Sequence, residues 1–114
     1  MYNLRIKQHF DSAHKLNNYD GECANLHGHR WVAEICLSFD TLQDNGIAID
    51  FKVIKDKLKE ILPDHRYLND IMQENPTAEN IAKWVYEKLP CKCQSVTIWE
   101  TPECSVTYTE ESNA

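Results

Sequence analysis

Alternating apolar and polar positions predict two β-strands in the first third of the chain. Over residues 2–14 the apolar side chains, including Ile6 and Phe10, share one parity, as in a strand that is buried on one face. The same alternation returns over 29–39, where Trp31 lies on the apolar side. The polar stretch between them is typical of a loop, and an Asn-Gly pair after the second strand favours a turn.

The apolar period then changes to that of helices. Residues 51–62 carry apolar side chains at helical spacing, and Pro63 closes the segment. A second helix is predicted from Ala78, with Thr77 as its N-cap, and two short strands follow it. The predicted fold class is α+β, a single domain over 1–114 with an antiparallel four-stranded sheet and two helices on one face, in the order ββααββ.

The composition limits the classes of molecule that this protein is expected to bind. The net charge is −6 with no run of Lys or Arg, which argues against nucleic-acid binding. No signal peptide or membrane-spanning stretch is present, so we expect a cytoplasmic protein without a membrane partner. The five cysteines are then free thiols unless they bind metal or react, and the one-residue gap between Cys91 and Cys93 suits zinc poorly. A domain this small favours an oligomer that completes its substrate pocket.

Three histidines form a candidate metal site. His27 and His29 are two residues apart, so in an extended segment their rings point to the same side. His14, at the end of the first predicted strand, would be the third ligand. Catalytic zinc takes three protein ligands, with nitrogen at about 2.0–2.1 Å, and keeps one position open. The alternative is that these are unrelated polar residues at strand ends.

Further candidates for chemistry lie elsewhere in the chain. Cys23, four residues before His27, is a candidate base or nucleophile if a nearby cation lowers its pKa, or else a fourth ligand of a closed structural site. Asp64 beside His65 has the residue types of an orienting carboxylate and a base, although a solvated turn is the alternative. Glu100 follows an apolar strand face and could accept two N–H donors of a planar edge, or it could face water.

Together these segments resemble the 6-pyruvoyltetrahydropterin synthase superfamily nearly from end to end. The segments that carry the resemblance are 10–14, 23–29, 49–51, 64–69, 76–80 and 100–101. The resemblance implies a tunnelling fold (T-fold), in which subunits join their sheets into a barrel and two trimers stack as a homohexamer with active sites between subunits.

The resemblance also implies three kinds of site residue. It implies Zn²⁺ bound by three histidines: His14, His27 and His29. It implies proton transfer by a thiol and by a dyad that reaches the site from an adjacent subunit: Cys23, Asp64 and His65. It implies pterin contacts from a strand end and a helix start: Glu100, which also joins the relay, Thr77 and Glu79. The usual Leu before the dyad is Pro63 here, which could alter the approach of the relay.

Within the superfamily, the Cys-x-x-x-His-Gly-His spacing resembles the bacterial 6-carboxytetrahydropterin synthases of queuosine (7-deazaguanine) biosynthesis. The implied reaction converts 7,8-dihydroneopterin triphosphate to 6-carboxy-5,6,7,8-tetrahydropterin and releases acetaldehyde and triphosphate. Aldolase-like members of the superfamily resemble a pattern with Glu three residues before the first histidine of His-Gly-His. Here that position is Ala24, which disfavours the aldolase route. The alternatives are a 6-pyruvoyltetrahydropterin synthase, and a non-catalytic zinc- or pterin-binding module of the same fold.

Overall fold

The structure of the protein, a computed structural model, describes residues 1–21, 24–91 and 93–110. Its strands are β1 (Tyr2–His14), β2 (His27–Phe39), β3 (Arg66–Tyr67), β4 (Ser95–Thr101) and β5 (Cys104–Tyr108). Its helices are α1 (Phe51–Ile61), α2 (Leu68–Ile71) and α3 (Ala78–Lys88). In the ranges described, none of the helices is both long and apolar enough to cross a membrane.

The five strands form one sheet in the order β3-β1-β2-β4-β5. The antiparallel contacts between neighbours β1, β2, β4 and β5 agree with the sequence prediction. The prediction of a purely antiparallel four-stranded sheet with two helices was wrong in detail, because β3 pairs in parallel with β1 at Ser12 and Ala13 and α2 is an additional helix. A two-residue strand and a four-residue helix are too short to produce a recognisable apolar period.

The core lies between one face of this sheet and the helices. Alternate positions of the strands are buried, among them Phe10 of β1, Trp31 of β2 and Ile98 of β4. These side chains pack with the buried positions of α1 and α3: Ile54, Leu58, Ala78, Ile81, Ala82 and Val85. The opposite face of the sheet carries no helix within the described residues, so its strands present their polar parity outward.

Side chains at the helix starts fix where α1 and α3 begin. Asp50 accepts a hydrogen bond from the Lys52 N–H at 2.9 Å, and Thr77 accepts one from the Asn80 N–H at 3.1 Å, the bonds of N-cap residues. The predicted cap at Thr77 is therefore confirmed. α1 ends just before Pro63, where the missing N–H and the restricted preceding residue disfavour a further turn.

Candidate metal centre and active site

Three histidine rings meet at one end of the β1–β2 ladder. In that ladder His14 lies opposite His27, and Ser12 lies opposite His29. All three rings point to the helix-covered face, with centroids 4.5, 4.7 and 5.4 Å apart in pairs. The Glu100 carboxylate joins them, and one ligand atom from each of the four side chains lies within 4.8 Å of the others. The group has the size and the donor types of a metal site.

Hydrogen bonds to main-chain carbonyls determine which ring nitrogen of His14 and of His27 faces the centre of the cluster. His14 Nδ1 lies 2.7 Å from the Pro76 carbonyl oxygen, and His27 Nδ1 lies 2.7 Å from that of Asn25. A carbonyl can only accept, so Nδ1 carries the proton in both rings and Nε2 keeps its lone pair. The two Nε2 atoms are 2.9 Å apart. Two lone pairs at this distance repel each other unless a cation or a proton lies between them.

The third ring has an unsatisfied nitrogen at the same place. His29 Nε2 is buried and makes no hydrogen bond of acceptable geometry within the part of the chain that the structure describes, although Glu100 Oε1 lies 3.3 Å away. An orphaned buried nitrogen costs about 1–3 kcal/mol. Burial lowers the pKa of His14 and His29, which favours the neutral form that binds metal. Three neutral imidazoles with a carboxylate alongside fit Zn²⁺.

Trp31 supports the histidines from the core side. Its ring is fully buried and meets the rings of His14 and His29 edge-on, with centroids 4.9 and 5.2 Å away. Its Nε1–H donates to the Ser12 carbonyl at 3.1 Å, which orients the indole. A rigid aromatic wall on one side restricts the rotation of both imidazoles.

Glu100 reaches the site because β4 continues past it. The pairing of β4 with β5 is irregular between Trp99 and Thr101, and the Glu100 side chain is 30% exposed beside His29. Of the two orientations left open by the sequence, the structure shows the one that faces the histidines. Glu100 and His29 both border a recess of about 640 Å³, a volume in the range of small-molecule sites.

Asp64 and His65 form a second, separate group. His65 Nδ1 lies 2.9 Å from Asp64 Oδ2, while Asp64 Oδ1 accepts the Asp11 N–H at 2.8 Å and the His65 N–H donates to the Asp11 carbonyl at 2.6 Å. The Asp11 N–H, and after it His65, hold the pKa of the Asp64 carboxyl below its ordinary value. Pro63 is accommodated, since its carbonyl accepts a hydrogen bond from Ser12 Oγ.

The backbone of His65 is unusual. Its φ is 56°, a left-handed conformation that is uncommon outside glycine and often found at functional sites. The side chain is 80% exposed, and the dyad groups with Asp11 rather than with the three histidines. Within one copy of the chain, the dyad and the histidine cluster are therefore distinct.

Comparison with known proteins assigns this fold to a family. Residues 3–111 match the family model for 6-pyruvoyl tetrahydropterin synthase. The chain belongs to this family.

Individual relatives agree with this assignment. A 6-carboxy-5,6,7,8-tetrahydropterin synthase of Synechocystis sp. is 38% identical over 88 residues, covering 70% of this chain and 68% of that protein. A dihydroneopterin monophosphate aldolase of Pyrococcus furiosus is 36% identical over 107 residues, covering 85% of this chain and 88% of that protein. The structure of Caenorhabditis elegans 6-pyruvoyl tetrahydropterin synthase has a TM-score of 0.85 at 27% identity and covers 96% of both chains.

The remaining predicted residues of this 6-pyruvoyl tetrahydropterin synthase family member are not part of the histidine cluster or are not described. Thr77 caps α3, and Glu79 is exposed in the first turn of that helix. Cys23 lies outside the described residues. Sequence reasoning missed the carbonyls of Asn25 and Pro76, because a main-chain acceptor leaves no signal in residue type.

Proposed function

We propose that this chain is a zinc-dependent 6-carboxy-5,6,7,8-tetrahydropterin synthase. The reaction consumes 7,8-dihydroneopterin triphosphate and water and yields 6-carboxytetrahydropterin, acetaldehyde and triphosphate, as a step of queuosine biosynthesis. The observation that carries the proposal is the convergence of two Nε2 lone pairs, on His14 and His27, with the orphaned Nε2 of His29. The spacing of Cys23 from the histidines and the Synechocystis relative favour the carboxy-forming branch.

The metal-binding role belongs to the three histidines. His14 and His27, held by carbonyls behind them, present Nε2 without rotating, and His29 supplies the third nitrogen. When bound, zinc supplies Lewis-acid polarisation of a substrate oxygen at its open coordination position. The substrate oxygen would then lie beside the three histidine nitrogens.

Proton transfer belongs to the thiol and the dyad. We assign to Cys23 the removal of a proton from the substrate side chain, as the family resemblance implies, because the thiolate is the reactive form of a cysteine. Asp64 holds the Nδ1–H of His65, which leaves Nε2 free to exchange a proton with the substrate. The side chain of the substrate is oxidised while its ring is reduced, so the reaction needs no nicotinamide.

The pterin ring belongs to the recess beside Glu100. The carboxylate accepts two N–H donors from the amino-pyrimidine edge, a charge-assisted bidentate arrangement. Thr77 and Glu79, at the start of α3, complete the pterin contacts. The recess of about 640 Å³ has room for a bicyclic ring.

The complete site belongs to an oligomer, which we propose is a homohexamer built as a dimer of trimers. In a single copy the dyad does not join the histidines, so a neighbouring copy supplies it. Among the described residues, β1 pairs with β3 only at Ser12 and Ala13, and β5 forms the other edge of the sheet. Open edges favour pairing between copies.

Exposed apolar side chains support association as well. Tyr2 and Phe51 are 49% and 56% exposed, and they border one groove of about 420 Å³ together with Leu42 and Ile47. Clustered apolar surface of this kind is typical of subunit contacts.

Replacing Cys23 tests the assigned chemistry. Cys23→Ala should retain zinc at the wild-type level but lose turnover by about 10²-fold or more, the contribution of a positioned acid or base. Cys91→Ala is the matched control, since Cys91 is an exposed thiol in the segment after α3, outside the proposed site and not on an edge strand of the sheet. Full activity of Cys23→Ala would overturn the role, and loss of zinc would make Cys23 a ligand of a structural site.

A second candidate is an aldolase reaction on a dihydroneopterin, because the Pyrococcus furiosus relative carries that name at 36% identity. Ala24 argues against it, since a methyl side chain can neither give nor take a proton. The carbonyl fragment released from the substrate side chain distinguishes the two reactions.

A further inference from the structure

An asparagine side chain joins the exit of β1 to the segment before α3. Asn75 Oδ1 accepts the Asn17 N–H at 2.8 Å, and Asn75 Nδ2 donates to the Asn17 carbonyl at 3.0 Å. The amide thus occupies both main-chain groups of Asn17, as a neighbouring strand would. Asn17 follows His14, the last residue of β1, by three positions. Asn75 therefore fixes its own segment relative to the end of the strand that carries His14.

The other side of this segment is tied to α3. Asn80 Nδ2 donates to the Asn75 carbonyl at 2.8 Å, and the Thr77 N–H donates to the same carbonyl at 2.8 Å. Thr77 Oγ1 in turn accepts the Asn80 N–H at 3.1 Å. Pro76 lies between these fixed points and is fully buried. Its carbonyl is therefore held in one orientation, with the oxygen 2.7 Å from His14 Nδ1.

The acceptor of the His14 Nδ1–H is the main-chain oxygen of Pro76, so the side chain at position 76 does not orient it. Its direction depends on the residues that hold the peptide on either side. Groups that hydrogen-bond the outer nitrogen of a metal-binding imidazole fix its tautomer and raise its basicity, and their loss typically costs about 10–100-fold in metal affinity. Side chains that aim such a group should act in the same direction with a smaller effect.

We propose that Asn75 and Asn80 are positioning residues of the metal site. They aim the Pro76 carbonyl at His14 Nδ1, which keeps the proton on that nitrogen and the Nε2 lone pair directed at the cluster. Neither residue contacts the cluster itself. The inference rests on the proposed function for the identity of the metal.

Three variants and one control test this role. Asn75→Ala removes both bonds to Asn17, Asn75→Asp keeps the acceptor but loses the donor, and Asn80→Ala removes the bond to the Asn75 carbonyl. The control is Asn45→Ala, because Asn45 Oδ1 accepts the Ile47 N–H at 3.0 Å in the turn before α1, a side chain–backbone bond away from the histidines. Circular dichroism verifies that each variant is folded.

Two readouts are independent of turnover. The first is the Zn²⁺ dissociation constant, measured by competition with a chromophoric chelator. The second is the tautomer of His14 in the metal-free full chain, observed by ¹⁵N NMR of the imidazole nitrogens. A purely structural role would lower the melting temperature without changing either quantity in the folded protein.

We expect zinc binding about 3–30-fold weaker in Asn75→Ala and Asn80→Ala, a smaller loss in Asn75→Asp, and a mixed His14 tautomer in the two alanine variants. Asn45→Ala should stay within about twofold of wild type. If Asn75→Ala does not fold, Asn80→Ala carries the same prediction. Unchanged affinity and an unchanged Nδ1–H tautomer in the folded variants would overturn the inference. Absence of zinc binding by the wild type would overturn the proposed function as well, and it is measured without any variant.

Discussion

Zinc should stabilise the folded chain by an amount that depends on its histidine ligands. A ligand that binds only the folded state adds about 2.7 kcal/mol at a hundredfold excess over its dissociation constant. A chain of 114 residues unfolds with an entropy of about 0.24 kcal/mol/K on the average per-residue scale. At that zinc concentration the melting temperature should therefore rise by about 11 °C above that of the chelated protein.

His29→Ala should remove most of this rise. His29 Nε2 is buried without a hydrogen-bond partner among the described residues, and loss of a ligand should weaken binding at least as much as loss of an outer partner, about 100-fold. At the same zinc concentration the remaining stabilisation is about 0.4 kcal/mol, or less than about 2 °C. Because each variant is compared with and without chelator, its own change in folding stability cancels.

The assay is a pair of thermal melts by circular dichroism, one with zinc and one with excess chelator. The matched control is His9→Ala, since His9 is an exposed histidine on the same strand as His14. It should keep the full zinc-dependent rise. The reasoning fails if His29→Ala keeps that rise, or if His9→Ala loses it.

Two further predictions concern other groups. Burial raises the pKa of the Cys93 thiol from 9.0 to about 11, so on raising the pH the unfolded chain loses this proton before the folded chain does. The free energy of unfolding should therefore fall between these two pH values, by about 1–2 kcal/mol after allowance for partial solvation. Urea unfolding should show this alkaline loss in wild type and in Cys104→Ala, and a smaller loss in Cys93→Ala; equal losses in all three would contradict it. Glu100→Gln should lower kcat/KM by about 10–100-fold through loss of a charge-assisted bond while zinc content stays unchanged; a matching loss of zinc would make Glu100 a metal ligand instead.

The sequence predicted those features that a regular period or a fixed spacing determines. The parity of β1 places Ile6, Phe10 and His14 on one face, and the two-residue gap between His27 and His29 places both rings on the matching face of β2. Alternation across a long two-strand ladder is a strong constraint, because a slip of one residue would turn every apolar side chain to the other face.

Other features depend on contacts that sequence order does not reveal. The position of His65 follows from a main-chain hydrogen bond to Asp11, which lies 54 residues earlier. Glu100 lies where the β4–β5 pairing is irregular, between Trp99 and Thr101, and a strand pattern does not reveal such a shift. The tautomer of His14 depends on the Pro76 carbonyl, 62 residues away. The contacts of His65 and His14 are long-range and each has a main-chain acceptor, so residue type at the acceptor position carries no signal.

The most direct test of the proposed function is to identify the product formed from 7,8-dihydroneopterin triphosphate. Purified, zinc-loaded protein would be incubated with this substrate, and the pterin and the released carbonyl fragment would be identified by mass spectrometry. The predicted result is 6-carboxytetrahydropterin with acetaldehyde and triphosphate, all lost in His14→Ala. A pyruvoyl product would instead assign the 6-pyruvoyltetrahydropterin synthase reaction, and the fragment released by an aldolase would assign the aldolase reaction. No turnover at all would contradict an enzymatic role for the site.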